Sequence, residues 1–142
     1  MVNSKAVITL LNKTSFFDNC ENILEPCAYN RSVVKIINEF YSGSKNITEI
    51  DIVNNKSSNV TIVDFLSWQT NEKYDGVITS PPYNLTEKYV EKCFSVLKNN
   101  GVIAMFIKMQ FLEGNEREMF FKNYPPKYIY IFGDKVDNSC CA

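Results

Sequence analysis

Apolar residues along this chain fall into short unbroken runs, separated by stretches in which they recur every three or four positions. The runs are NILE, ITEID, NVTIVDF, YDGVIT, GVIAMFIK and, later, PPKYIYIFG. Runs without polar alternation are what strands buried on both faces require. The helical spacing lies between them. It predicts a helix around residues 3–13 and another in NRSVVKIINEFY, with Val33, Val34, Ile37 and Phe40 inward. A third, TEKYVEKCFSVLKNN, brings Tyr89, Val90, Phe94 and Leu97 near one face, and QFLEGNEREMFFKNY supplies a fourth after a loop. The fifth strand is introduced by the turn at Asn100 and Gly101. Strands alternating with helices predict right-handed β-α-β units in a mostly parallel sheet, hence an α/β fold.

The 142 residues suit one domain, with a lead-in over 1–20, a core over 22–132 and a tail over 133–142. The formal net charge of -1 offers no global attraction to nucleic acid, so any such contact needs a local patch. With no His in the chain, Ser-His triads and zinc-His sites are excluded. Cys20, Cys27, Cys93, Cys140 and Cys141 form no Cys-x-x-Cys pair, which indicates neither a disulfide framework nor a zinc site and makes a reducing cytoplasm the expected location. The early run AVITLL is too short for a signal or membrane helix.

One motif changes the picture. In VITSPPYNL the paired prolines have no amide hydrogens and a fixed φ, so the fourth strand must leave the sheet at Ser80. The motif thus sits at the carboxyl end of a strand and opens a helix, where ligands bind in open α/β sheets. Taken alone, the same four residues read more readily as a strand cap, with Tyr83 filling a surface hollow.

Together with it, ILEPCAYN, ITEID and VDFLSW resemble, in order and spacing, the motifs of S-adenosylmethionine-dependent methyltransferases that modify exocyclic amines of DNA bases. The resemblance spans about residues 22–132 and is strongest toward small phage-encoded adenine methyltransferases, which carry stretches similar to MFIKMQFLEG and YPPKYIYIF. It implies a Rossmann-like class I methyltransferase fold. It also implies that Ser80 and the Pro81 carbonyl accept the two amine hydrogens, that Pro82 shapes the turn and that Tyr83 stacks on a flipped base. Glu25, Pro26 and Ala28 would line the cofactor, Glu49 would hold its ribose and Asp64 would accept from its adenine amine. Ser in the first place is more frequent among cytosine-directed members, which leaves adenine and cytosine both open.

The chain departs from that pattern twice. Where the first motif calls for glycines it has Tyr29 and Arg31, filling space in which backbone should approach the cofactor with positive φ. After PPKYIYIFG no run remains for the last strand of the sheet. Lys122, Lys127 and Lys135 among Tyr124, Tyr128 and Tyr130 make a thin basic patch of the kind a solvated face also shows. The expectation is a degenerate, truncated methyltransferase relative with weak or absent S-adenosylmethionine binding. Its partner would be DNA or a protein, such as a host defence complex met in the host cytoplasm by a phage-encoded inhibitor. The alternatives are an active minimal amino-methyltransferase and a domain binding a smaller adenosine ligand. Strands in the spatial order three-two-one-four-five would leave the fifth at an edge, to be closed by YIYIF or by a second chain in a homo-oligomer.

Overall fold

The computed structural model describes residues 3–54 and 56–133. Five parallel strands form one sheet: β1 (Asn22–Glu25), β2 (Asn46–Asp51), β3 (Val60–Ile62), β4 (Tyr74–Thr79) and β5 (Leu97–Met105). Their spatial order is β3-β2-β1-β4-β5, as expected from the alternation of runs and helical stretches. β1 is central, with Glu25 beside Glu49 of β2 on one side and Leu24 beside Val77 of β4 on the other. The carboxyl ends of three neighbouring strands therefore lie side by side.

Helices cover the sheet from both faces. α1 (Ser4–Lys13) starts on Asn3, whose side chain accepts from the Lys5 amide, and buries Ala6, Val7, Leu10 and Leu11 at helical spacing. With α2 (Ser32–Phe40), which buries Val33, Val34 and Ile37, it packs over Phe17, Ile23 and Ile78. On the opposite face α3 (Thr86–Val96) lays Tyr89, Cys93 and Val96 against Leu24, Ile50, Phe65 and Val77. Phe40 and Phe94, expected inward, are instead exposed: each sits at the outer margin of its helix's apolar stripe, beyond the reach of the sheet.

Several boundaries differ from the sequence reading. β3 is shorter than NVTIVDF because the chain turns at Asp64, whose carbonyl accepts from the Ser67 and Trp68 amides. β5 begins upstream of the Asn-Gly pair, and that pair forms an irregularity within it. The register jumps from Tyr74–Leu97 to Gly76–Val102, and Asn100 takes the surplus with φ 65°. Gly101 is required there, since a Cβ would lie 2.5 Å from Leu97 Cγ. The fourth helical stretch shortens to α4 (Glu118–Asn123) after two 3-10 turns, Met109–Leu112 and Asn115–Arg117. The expected sixth strand does not form. Over residues 127–132 there is no ladder, and Tyr128 stacks on Phe16 at 5.3 Å, outside the sheet. Tyr128 and Tyr130 both contact Phe16 instead of pairing in the sheet, and β5 remains an edge strand among the described residues. The tail residues 134–142, with Lys135, Cys140 and Cys141, lie outside the described residues.

The β2–β3 connection carries no helix among its described residues, unlike those after β1 and β4. Ile52, Val53 and Ile62 are exposed as a result. No helix among the described residues is long and apolar enough to cross a membrane.

Gly76 marks the tightest approach in the core: a Cβ on it would meet Phe17 Cε1 at 2.8 Å. Phe17 is fully buried and cannot swing out. Gly76→Ala is expected to cost about 1–3 kcal/mol of stability by overpacking, read from urea midpoints. Phe17→Leu in the same chain should return part of the loss, and an additive double variant would show that the ring is not the obstacle.

Candidate functional site

The site is built at the carboxyl edge of β2, β1 and β4. Leaving β1, the chain passes Glu25 and Pro26, both buried, and the Ala28 amide donates to the Ile50 carbonyl at 2.9 Å, continuing the parallel pairing with β2 for one more step. The loop then tightens, with the Arg31 amide donating to the Ala28 carbonyl and Arg31 in the left-handed region at φ 59°. Of the two positions expected to need glycine, Arg31 alone has kept the glycine conformation, at a cost of about 1 kcal/mol. Tyr29 does not have positive φ and its ring is 54% exposed, so it does not fill the loop as expected.

The side chain of Arg31 turns across to β2. Its Nε donates to Glu49 Oε2 at 2.5 Å and its Nη2 to Glu49 Oε1 at 2.7 Å. Both oxygens of the acid expected to hold a ribose are thus engaged by one guanidinium, in the planar two-point pairing that suits Arg to carboxylate. Glu49 is only 5% exposed, so losing the partner would strand a buried charge. Asp51, which the sequence reading did not single out, does the structural work two residues on. Its Oδ2 accepts from the Tyr29 amide and its Oδ1 from the Val53 amide, both at 2.7 Å, which ties the loops after β1 and β2 together. Its place on the same strand face as Glu49, at the strand end, was the signal that could have found it.

Glu25 is held differently. Oε1 accepts from the Cys27 amide at 2.9 Å, while Oε2 and the neighbouring Thr79 Oγ1 at the end of β4 are buried outside full hydrogen-bond geometry. Burial pushes the Glu25 carboxyl up to about 8, opposed by the neighbouring Thr79 hydroxyl and the Cys27 amide and reinforced by the charges of Asp51 and Glu49. Burial likewise pushes the Cys27 thiol up to about 11 and raises Cys93 and Tyr89 further. Thiolate chemistry is therefore absent from these positions at neutral pH.

On β4 the paired prolines do what the sequence requires of them. Pro81 is buried, and the Pro82 carbonyl accepts from the Leu85 amide and the Thr86 hydroxyl, launching α3. Ser80 Oγ donates to the Phe106 carbonyl at 3.1 Å. With its proton spent there, the oxygen is left as an acceptor. Tyr83 is half-exposed, edge-on to Phe111 at 6.4 Å, with Lys108 Nζ and Arg117 Cζ each 5.8 Å from its ring centre. Arg117, Lys108 and Phe111 were not anticipated around it. Asp64 lies beyond the end of β3, exposed, with Oδ1 accepting from the Leu66 amide to fix a turn. The structure thus gathers Glu25, Pro26, Ala28, Glu49, Ser80, Pro81, Pro82 and Tyr83 along one edge and sets Asp64 in the adjoining loop. Among the described residues no group of three or more metal-ligating side chains occurs.

No family model matches the chain. Its backbone is similar to a class I S-adenosylmethionine-dependent methyltransferase of Listeria monocytogenes, with TM-score 0.66 at 12% identity over 84% of this chain and 50% of that one. It is also similar to the plantazolicin methyltransferase BpumL in complex with SAH, with TM-score 0.58 at 16% identity over 84% of this chain and 55% of that one. The fold is that of the class I S-adenosylmethionine-dependent methyltransferases. In sequence, the chain is 30% identical over 117 residues to the Type II methyltransferase M.CvrRI of Paramecium bursaria Chlorella virus XZ-6E, covering 64% of this chain. It spans 31% of that relative's length. At the ribose end each oxygen of Glu49 already accepts from Arg31, so a ribose diol would share those oxygens with the guanidinium or displace it. Glu25 Oε2 and Thr79 Oγ1 offer further polar contacts.

A titration follows from Glu25. Its folded pKa lies above the ordinary carboxylate value, so between about pH 5 and 8 the native state holds a proton that the unfolded state has released. Stability should therefore fall as pH rises through that window. Asp75, held below its ordinary value mainly by Lys98, acts in the opposite sense and only at acid pH. Glu25→Gln should remove the decline between pH 5 and 8, seen as a flatter profile of urea midpoint against pH. An unchanged slope would show that Glu25 is ionised in the folded chain.

Proposed function

We propose that this chain is a methyltransferase-like protein related to DNA amino-methyltransferases, that it binds S-adenosylmethionine weakly or not at all, and that it acts by binding. The observation that carries the reading is the pairing of both Glu49 oxygens with Arg31. A ribose diol needs those oxygens, and displacing the guanidinium would leave two charges to be resolvated in a partly buried loop. The similarity to a viral Type II methyltransferase supports a mobile-element setting, in which a retained fold without turnover would occupy DNA or a host defence complex. The edge of β5 is the surface best suited to a protein partner or a second copy. Its apolar residues 102–107 carry no charge and no Pro to blunt it.

One observation favours the second reading, an active minimal amino-methyltransferase acting on adenine or cytosine. Ser80 is oriented as an acceptor by Phe106, the arrangement that would draw an amine hydrogen and localise the nitrogen lone pair.

Calorimetric titration with S-adenosylhomocysteine separates the two. The unmodified chain is expected to show no binding in the low micromolar range. Arg31→Gly should gain at least tenfold, and adding Glu49→Gln should cancel the gain, because the freed carboxylate is its source. Low-micromolar binding by the unmodified chain would reverse the assignment in favour of the enzyme.

A further inference from the structure

A groove of about 410 Å³ opens beside α2, β2 and the start of β3. Its wall begins at the Arg31–Glu49 pair and continues through Asn38 of α2, Lys45 and Asn46 at the start of β2, and Asn59 before β3. Arg31 and Lys45 line it together with one carboxylate, Glu49, which is ion-paired to Arg31. Lys45 is fixed rather than free-swinging: Nζ donates to the Asp18 carbonyl at 2.6 Å and lies 4.4 Å from the Tyr41 ring centre. Arg31 uses Nε and one hydrogen of Nη2 on Glu49, so Nη1 and the other Nη2 hydrogen remain outside the pair, on a side chain 24% exposed. Asn38, Asn46 and Asn59 line the same space, the Asn46 amide also donating to Asn22 Oδ1 at 3.4 Å.

From this placement we infer that the groove takes an oxyanion attached to a nucleoside, and that the chain's ligand is a phosphorylated adenosine rather than one with a free ribose diol. In nucleotide-binding α/β folds an acid at the second strand selects free hydroxyls, whereas an arginine nearby accommodates a ribose phosphate. Here one arginine does both: it neutralises the acid and presents its remaining N–H groups to the groove. The inference rests on the reading of the carboxyl edge as a nucleoside site, and it names the ligand class that the changed edge prefers. Carboxylates would be drawn by the same donors, but the tetrahedral charge of a phosphate engages more of them.

Titration calorimetry of the full chain with adenosine 3′,5′-bisphosphate, adenosine and inorganic phosphate tests it. The bisphosphate should bind at least tenfold more tightly than either of the others. Asn38→Asp, a surface change that sets a like charge on the groove wall, should weaken the bisphosphate about tenfold and leave adenosine unchanged. Arg31→Gly should lose the phosphate preference, with its fold checked by circular dichroism. Equal binding of adenosine and bisphosphate, absence of any binding, or indifference to Asn38→Asp would overturn the inference. So would inorganic phosphate matching the bisphosphate, which would assign the groove to free oxyanions, or random duplex DNA competing equally per phosphate, which would reduce it to general charge attraction. These outcomes are separable from failure of the proposed function, since a gain of S-adenosylhomocysteine binding in Arg31→Gly would stand whether or not the groove takes a phosphate.

Discussion

The parallel pairing of β1 with β2 on one side and β4 on the other is the constraint on which everything else hangs. It brings Glu25, Glu49 and Ser80 to one edge although they are far apart in the chain. It also makes the carboxyl ends the place where backbone groups run out of partners and side chains must take over. The Ala28 amide finds the Ile50 carbonyl, Asp51 takes the Tyr29 amide, and Ser80 finds the Phe106 carbonyl. Each of these closes a backbone requirement first. Any ligand chemistry is left to the atoms that remain.

At the β2 end few remain. A bidentate ion pair with one half-open partner is a closure of low structural cost: the loop keeps the left-handed turn at residue 31, the strand keeps its register and only the charge pattern changes. At the β4 end the arrangement is open, with an oriented hydroxyl and an aromatic ring bracketed by cations. The two halves of this edge thus differ in how far their side chains are already engaged. They are coupled through rigid strands rather than through shared side chains.

Much of this was legible in the chain, and the failures have physical causes. The order of the five strands followed from unbroken apolar runs alternating with helical spacing, and the exit at Ser80 from the missing proline amides. Helix faces were legible except at Phe40 and Phe94, where periodicity identifies the stripe but not how far the sheet extends beneath it. YIYIF has every local property of a strand, yet it lies outside the sheet with Tyr128 on Phe16, since strand propensity reports fitness for a pleated surface and not the presence of a free partner. The substitution of Arg31 for glycine was visible. Its consequence was misplaced by reading the side chain as bulk in the methionine space, when charge and a positive φ send it sideways to Glu49.

The contrast between Glu25 and Glu49 carries the argument one step further. Both are buried carboxylates at neighbouring strand ends, and burial opposes the ionisation of Glu25. Glu49 is held by a guanidinium that places one donor on each of its oxygens. Glu25 has an amide on one oxygen and the Thr79 hydroxyl beside it, and it meets burial with a proton that its second oxygen can donate. A ligand that brought its own positive charge to Glu25 would have to expel that proton first, whereas a ligand reaching for Glu49 would have to share its oxygens with the guanidinium or displace it. The first exchange needs only a small rearrangement of hydrogen; displacement needs a loop to move. Of the two acids, Glu25 is therefore the one through which this edge can still respond to a ligand without rebuilding itself.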